Sequence, residues 1–182
     1  MTDEISLIEQ LVNPKTKEKA FRQLIALYKE RLYWHIRKIV ITHADADDVL
    51  QNTFIKIYKN IDKFNGKSKL FSWMYRIATN EAITFINKRA KNRNVDISEL
   101  QTQLASTLES DVYFSGDAIQ LILQKAIATL PQKQQLVFNM KYFDELKYQE
   151  ISEILDTSVG ALKASYFHAV KKIENFVKNN TN

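Results

Sequence analysis

FNGKSKLFSWMYRIATN, residues 64–80, is the stretch around which the rest of the chain is organised. Gly66 and Ser68 favour a turn, so we expect the stretch to begin as a loop and to continue as a helix. Its cations alternate with aromatic rings, in the order Lys67, Lys69, Phe71, Trp73, Tyr75 and Arg76. Cations bind a phosphate backbone and rings stack on unpaired bases, at about 1–3 kcal/mol per base. The pattern predicts single-stranded nucleic acid binding, unless its apolar residues form only the buried stripe of an ordinary helix.

The composition favours a helical protein with an anionic partner. The 182 residues include 45% hydrophobic residues, only 3 glycines and 2 prolines, and carry a net charge of +5. Few turn residues predict long helices, and a positive charge suits nucleic acid. There is no cysteine, which excludes disulfides and thiolate metal sites.

The chain shows no targeting or membrane signal. Its first residues, 1–4, are acidic and lead into no apolar run of signal-peptide length. No apolar stretch reaches the length of a membrane span. We therefore expect a cytoplasmic protein without membrane insertion.

Apolar residues three and four apart predict an all-α fold in two helical domains. The first domain covers residues 1–90 and the second covers 117–182. Between them, residues 91–116 are polar and acidic with weak helical periodicity over 97–108, so they are predicted to form a flexible linker. The predicted helices are 5–12, 21–40, 45–63, 70–89, 119–130, 136–143, 146–155 and 159–177.

The last two predicted helices resemble a helix-turn-helix. A short helix over 146–155 is followed by the turn 156–158, where Asp156 can adopt a left-handed conformation, and by a long helix. The second helix of this motif usually enters the DNA major groove. The alternative is a plain bundle of three or four helices with exposed lysines. The residues predicted to face outward on the second helix, and so to contact DNA, are Lys163, Ala164, Phe167, His168 and Lys171.

Nothing in the sequence predicts catalysis, a cofactor or a metal site. The histidines, His35, His43 and His168, are far apart and show no metal-ligand spacing. The acidic residues of 45–48 begin a helix, where carboxylates are favoured by the helix dipole without a metal. There is neither a glycine-rich phosphate loop nor a nucleophile elbow.

Three stretches in this order resemble extracytoplasmic-function (ECF) sigma factors of bacterial RNA polymerase. They are DADDVLQNTFIKIY at 45–58, WMYRIATN at 73–80, and YQEISEIL at 148–155 followed by GALKASYFHA at 160–169. The first resembles the helix that docks on the clamp coiled coil of the largest polymerase subunit. The resemblance implies the core-polymerase contacts Asp48, Gln51, Asn52 and Ile55.

The second and third stretches resemble the parts of such a factor that bind promoter DNA. The resemblance implies that one domain captures the unpaired minus-ten element and the other reads the minus-thirty-five element as duplex. It also implies that the polymerase flap and an anti-sigma factor are partners. Ser165 and His168 stand where arginines are usual, which predicts a changed minus-thirty-five preference. The implied minus-ten contacts are Asn65, Lys67, Ser68, Lys69, Leu70, Phe71, Tyr75, Arg76, Asn80 and Lys88.

Two other classes of function remain open at this stage. A regulator that binds duplex DNA through its helix-turn-helix would use the front helices for dimerisation or ligand sensing. A helix-turn-helix recombinase or nuclease would need a catalytic serine or metal-bound acidic residues, and the sequence pattern indicates neither. Copurification with core polymerase separates these classes.

Overall fold

A computed structural model describes residues 2–110 and 118–180, and within these ranges every regular element is helical. Short 3-10 turns follow α3 and α5, at Ile61–Lys63 and Thr107–Ser110. The all-α prediction is therefore confirmed. The α-helices are α1 (Thr2–Val12), α2 (Lys17–Val40), α3 (His43–Asn60), α4 (Leu70–Arg93), α5 (Ile97–Ser106), α6 (Ala118–Ala128), α7 (Gln132–Tyr142), α8 (Tyr148–Leu155) and α9 (Val159–Asn180).

The front bundle consists of α2, α3 and α4, with α1 packed on α2. The break between α2 and α3 is made by Ile41, whose φ is 72°, and by Thr42, whose side chain accepts a hydrogen bond from the Asp45 amide. This N-cap satisfies one of the free amides at the start of α3. The fully buried residues of the front bundle include Leu24, Ile36, Ile57, Met74 and Ile86.

The connection between the bundles is more helical than its polar sequence predicts. The helix α4 continues to Arg93 and ends where Asn94 adopts a left-handed conformation. The next helix, α5, then begins, with its first turn capped by Asp96. Apolar residues four apart on α5 and beyond, Leu100, Leu104 and Leu108, are buried.

A buried hydrogen bond ties α5 to the rear bundle. The Gln101 side-chain amide donates to Gln135 Oε1 at 2.6 Å. Within the predicted linker 91–116, residues 91–93 and 97–110 are therefore helical. The remainder of the predicted linker, 111–116, lies outside the described residues.

The rear bundle contains α6, α7, α8 and α9, with α9 packed on both α6 and α7. Its core includes the stacked rings of Phe138 and Tyr166, whose centroids are 5.8 Å apart. The predicted turn is confirmed, since Asp156 has a φ of 50° and its amide donates to the Ser152 carbonyl. The helices α8 and α9 therefore form the predicted helix-turn-helix.

The two bundles pack against each other. The contacts run between α4 and α8 and between α2 and α7, and one hydrophobic core passes through both bundles. In the described ranges, none of the helices has the length and apolarity needed to cross a bilayer.

Candidate polymerase and nucleic-acid interfaces

The outer side of α3 presents the four residues predicted to bind core polymerase. Asp48, Gln51 and Asn52 are exposed, and Ile55 among them keeps 45% of its surface accessible. The opposite side of α3 is buried in the front bundle, including Thr53, which donates its hydroxyl to the Val49 carbonyl. The helix therefore presents a polar surface with one apolar residue at its centre, which we call the docking face.

The minus-ten strip, residues 64–80, begins as a loop, as predicted. Gly66 has a φ of 69°, a conformation that glycine adopts without strain. Asn65 Oδ1 accepts a hydrogen bond from the Lys67 amide at 3.1 Å, which holds the loop in a turn. The helix then starts at Leu70, whose amide donates to Glu4 Oε1 at 3.0 Å. The α1 helix thus fixes the point at which the loop becomes α4.

Two of the ten predicted minus-ten residues lie in the protein core instead of on its surface. Leu70 and Tyr75 are completely buried. The Tyr75 ring packs on Phe71 at 4.3 Å and on His35 at 4.5 Å, and its burial raises the pKa of the phenol. These two side chains therefore cannot contact DNA in this structure, and they pack in the core beneath the strip.

The other predicted minus-ten residues reach the surface to different degrees. The guanidinium of Arg31 lies over the ring of the half-buried Phe71, at 4.1 Å from the ring centroid. Trp73 is half-buried, and its ring centroid lies 5.4 Å from that of Phe64. Ser68 is half-buried as well. The exposed members are Asn65, Lys67, Lys69, Arg76, Asn80 and Lys88.

Two cations of the minus-ten strip bind the rear bundle. Lys69 Nζ forms an ion pair with Glu150 Oε1 at 2.9 Å. This hydrogen bond raises the pKa of Lys69 and lowers the pKa of Glu150. The Arg76 guanidinium donates to the backbone carbonyl of Glu153 through both Nε, at 3.1 Å, and Nη2. Sequence reasoning missed both contacts; the acidic Glu150 on α8 was a signal of a basic partner, whereas Arg76 binds a backbone carbonyl that any residue would supply.

A second polar contact, which we call the latch, joins α2 to the end of α7. Asp144 Oδ2 accepts from His35 Nδ1 at 2.9 Å, and Asp144 Oδ1 accepts from Lys38 Nζ at 2.5 Å. Only 5% of the Asp144 side chain is exposed. Burial alone would raise the pKa of Asp144, but the His35 hydrogen bond and the charges of His35 and Lys38 hold it below its ordinary value. No pattern in the sequence links these residues.

The rear bundle carries a separate face on α9. All five residues predicted there to contact DNA are exposed, while Leu162, Ala169 and Ile173 on the other side of the helix are buried. Phe167 is 54% exposed, and Lys171 Nζ lies 4.5 Å from its ring centroid. A cation beside an exposed ring suits both phosphate and base contacts in a major groove. We call this surface the recognition face.

The described residues hold no group of three or more histidine and acidic side chains with metal-binding geometry. Among the acidic residues that begin α3, Asp45 accepts hydrogen bonds from the hydroxyl of Thr42 and from the guanidinium of Arg89.

Family models match both bundles of the chain. Sigma-70 region 2 matches residues 24–92, and Sigma-70 region 4 matches residues 120–173. Among curated relatives, the ECF RNA polymerase sigma factor SigW of Bacillus subtilis is 33% identical over 157 residues, which cover 82% of this chain and 84% of the relative. The ECF RNA polymerase sigma-E factor of Escherichia coli K12 is 28% identical over 98% of this chain and 95% of its own length.

Solved structures share the fold at lower sequence identity. CnrH, in complex with the cytosolic domain of CnrY, superposes with a TM-score of 0.72 at 20% identity and covers 97% of this chain and 98% of its own. The sigma factor RpoE of Bartonella quintana, in complex with the anti-sigma factor NepR, gives 0.68 at 21% identity, over 89% and 99%. The two family matches and the SigW relative together establish that this chain belongs to the ECF sigma factors of the sigma-70 family, which are promoter-specific transcription initiation factors.

Proposed function

We propose that the two bundles of this sigma factor divide promoter recognition between them. Residues 1–90 bind core polymerase and hold the melted non-template strand of the minus-ten element, residues 91–116 connect the bundles, and residues 117–182 bind the duplex minus-thirty-five element. The observation that carries the proposal is that the docking face on α3 and the recognition face on α9 are separate exposed surfaces. One chain with two such faces can bind the enzyme and DNA at once.

The docking face has the composition of a protein-binding surface. An apolar side chain surrounded by acidic and amide groups provides a centre to bury and a polar rim to fix the register. Ile55 is the centre, and Asp48 and Gln51 belong to the rim. We assign this face to the clamp of the largest polymerase subunit, and a further contact of the rear bundle to the polymerase flap.

The minus-ten strip provides cations and amides for a single strand. Asn65 and Lys67 lie at the tip of the loop and are exposed, and Lys69, Arg76 and Asn80 continue along α4. We assign base capture to the loop and strand contact to the outer side of α4. The buried Leu70 and Tyr75 keep the loop in place, since a binding loop needs a rigid base.

The recognition face provides both kinds of duplex contact. Lys163 and Lys171 bind phosphates or guanine edges, and Ala164 and Phe167 contact thymine methyl groups. His168 donates to a phosphate or to a base. With His168 and Ser165 where the family resemblance implies arginines, this face has fewer permanent charges and depends more on shape and apolar contact.

The chain makes no chemical bond in this scheme, and we therefore propose that it is not an enzyme. It shifts the equilibrium from closed to open promoter by binding the unpaired strand more tightly than the duplex. It acts in the cytoplasm, where bacterial polymerase works. Because CnrH and RpoE of Bartonella quintana each bind a partner protein, CnrY and the anti-sigma factor NepR, we also propose an anti-sigma partner for this chain.

The test is copurification with core polymerase, followed by run-off transcription from a promoter library with randomised minus-ten and minus-thirty-five elements. We expect the chain to join the core and to enrich one class of promoter. Asp48→Arg should lower affinity for the core with the fold intact, and Glu9→Arg, the same charge change on the exposed side of α1, should not. A wild-type chain that never joins the core would refute the proposal.

A further inference from the structure

We propose that Glu4 of α1 is a positioning residue for the minus-ten loop, residues 64–69. Its carboxylate accepts a hydrogen bond from the Leu70 amide and so holds the end of the loop that leads into α4. The inference rests on the function proposed above, since it takes this loop as the site of base capture. It adds a residue that acts through the loop and that lies outside the region 2 family match, which begins at residue 24.

The N-cap position of α4 is occupied by a residue that cannot cap. This residue is Lys69, whose ammonium group only donates and so cannot accept from the backbone amides of the first turn. The first turn itself, residues 70–73, contains no acidic residue. Leu70 is the first helical residue and is completely buried, so an amide without an acceptor there would destabilise the start of the helix. Glu4 provides the acceptor from another helix.

A local cap would conflict with the proposed binding site. Serine or aspartate at position 69 would cap the helix, but it would also remove one of the cations of the minus-ten strip. An acceptor that comes from α1 caps the helix and leaves the lysine in place. The Glu4 carboxylate also lies at the positive end of the α4 dipole, which stabilises a negative charge.

The other end of the minus-ten loop is held by the same part of the chain. The α1 helix packs on the 3-10 turn Ile61–Lys63, which leads into the loop. Leu11 of α1 and Ile61 are both completely buried in one core. At the start of α2, Lys17 Nζ forms an ion pair with Asp62 Oδ2 at 3.1 Å. Residues 4–17 therefore hold both ends of the loop, and the distance between these ends is set before DNA binds.

The charge of Glu4 acts on residues of the strip and of its support. It acts on Lys69, whose pKa is raised chiefly by the hydrogen bond to Glu150. Burial raises the pKa of Tyr28, and the charge of Glu4 raises it further. The Tyr28 ring centroid lies 6.4 Å from that of Phe71 in the first turn of α4. The Glu4 carboxylate is therefore close to α2, to the end of the loop and to the start of α4.

A loop that is fixed in advance binds an unpaired base more tightly than a mobile one. The entropy of ordering the loop is then lost during folding and not during binding. If the loop adopts its binding conformation only part of the time, the apparent affinity falls by that fraction. Loss of the Glu4 acceptor should therefore weaken capture of the strand, while the docking face on α3 keeps its affinity for core polymerase.

The test compares Glu4→Ala with Glu4→Gln in the full chain, with Glu9→Ala as the matched control. Alanine removes the acceptor and keeps α1 helical, whereas glutamine keeps one oxygen that can accept from the Leu70 amide. Glu9 lies on the same helix and is exposed. The first readout is hydrogen exchange at the Leu70 amide of the free protein, followed by nuclear magnetic resonance. The others are promoter opening by permanganate footprinting and core affinity by fluorescence anisotropy.

We expect Glu4→Ala to exchange the Leu70 amide about tenfold faster than the wild type, because the amide loses a charge-assisted hydrogen bond. Promoter opening should fall about fivefold at unchanged core affinity, as fits the loss of a helix cap. Glu4→Gln should open promoters within about twofold of the wild type, since the acceptor remains. Glu9→Ala should match the wild type in all three measurements.

Separate outcomes distinguish this inference from the proposed function. If the wild type opens promoters and Glu4→Ala leaves either the exchange or the opening unchanged, the positioning role alone is overturned. The same holds if Glu4→Ala lowers core affinity as much as opening, or if Glu4→Gln is as impaired as Glu4→Ala. A wild-type chain that never joins core polymerase overturns the proposed function. Exchange at the Leu70 amide needs neither polymerase nor promoter, so it still decides whether Glu4 holds the loop.

Discussion

Truncation of Ile55 measures how much the docking face contributes to polymerase binding. Full burial of an isoleucine side chain stabilises a complex by about 1.5–3 kcal/mol. Ile55 is 45% exposed, so docking can bury only that share. Ile55→Ala should therefore cost about 0.7–1.4 kcal/mol, which corresponds to an affinity for core polymerase about three- to tenfold weaker. Alanine is a good helix former, so α3 should remain intact.

The control for Ile55→Ala is a residue of similar type and greater exposure outside the docking face. Leu27 on α2 is 60% exposed, and Leu27→Ala should leave the affinity unchanged. Titration of labelled factor against core polymerase, followed by fluorescence anisotropy, measures both variants under the same conditions. The reasoning is refuted if Ile55→Ala binds like the wild type, or if Leu27→Ala loses as much.

Other consequences concern the two DNA sites and the latch. Lys67→Ala should reduce promoter opening about fivefold at unchanged core affinity, because the loop loses a charged contact, and permanganate footprinting would show it. Phe167→Ala should weaken binding to the minus-thirty-five duplex by about 1 kcal/mol in gel-shift titrations, with Lys178→Ala as control. The pKa of Asp144 is depressed from its ordinary 3.8, so its stabilisation is present above that value and is lost as the pH falls through the lower folded pKa. The difference in urea-unfolding free energy between wild type and Asp144→Asn should therefore shrink from about pH 5 to about pH 3.

Local patterns predicted the helices because their causes are local. Asn13 and Pro14 follow the end of α1, because a proline cannot continue a helix. Asp156 forms the turn of the helix-turn-helix in the left-handed conformation that a short polar residue tolerates. Residues 136–143 were predicted to be helical from their apolar spacing, and α7 covers all of them except Phe143. Each of these predictions needed only residues within two helical turns.

The burial of Leu70 and Tyr75 was missed because α4 has more than one buried side. It packs against α2, α3, α5 and α8, so apolar and small polar residues around most of its circumference are covered. A prediction that assigns a single buried stripe to each helix places Tyr75 on the exposed surface, beside the lysines and Arg76. The helix α5 was likewise not predicted, because its sequence is mostly polar. Only a few leucines of this segment pack against neighbouring helices.

The polar contacts that join α2 and α4 to the rear bundle link residues 77 to 113 positions apart, beyond the reach of any periodicity. The acidic residues of α8 nevertheless give an indication of these contacts in the sequence. Glu150 and Glu153 lie on the first helix of a helix-turn-helix, an element that crosses the phosphate backbone, where carboxylates repel DNA. Glu150 also accepts a hydrogen bond from the Lys147 amide at the start of α8, which accounts for one acid but not for the second. The Glu150 carboxylate pairs with Lys69 of the minus-ten strip, and the charge of Glu153 acts on the same lysine, so both acids face a basic partner within the chain.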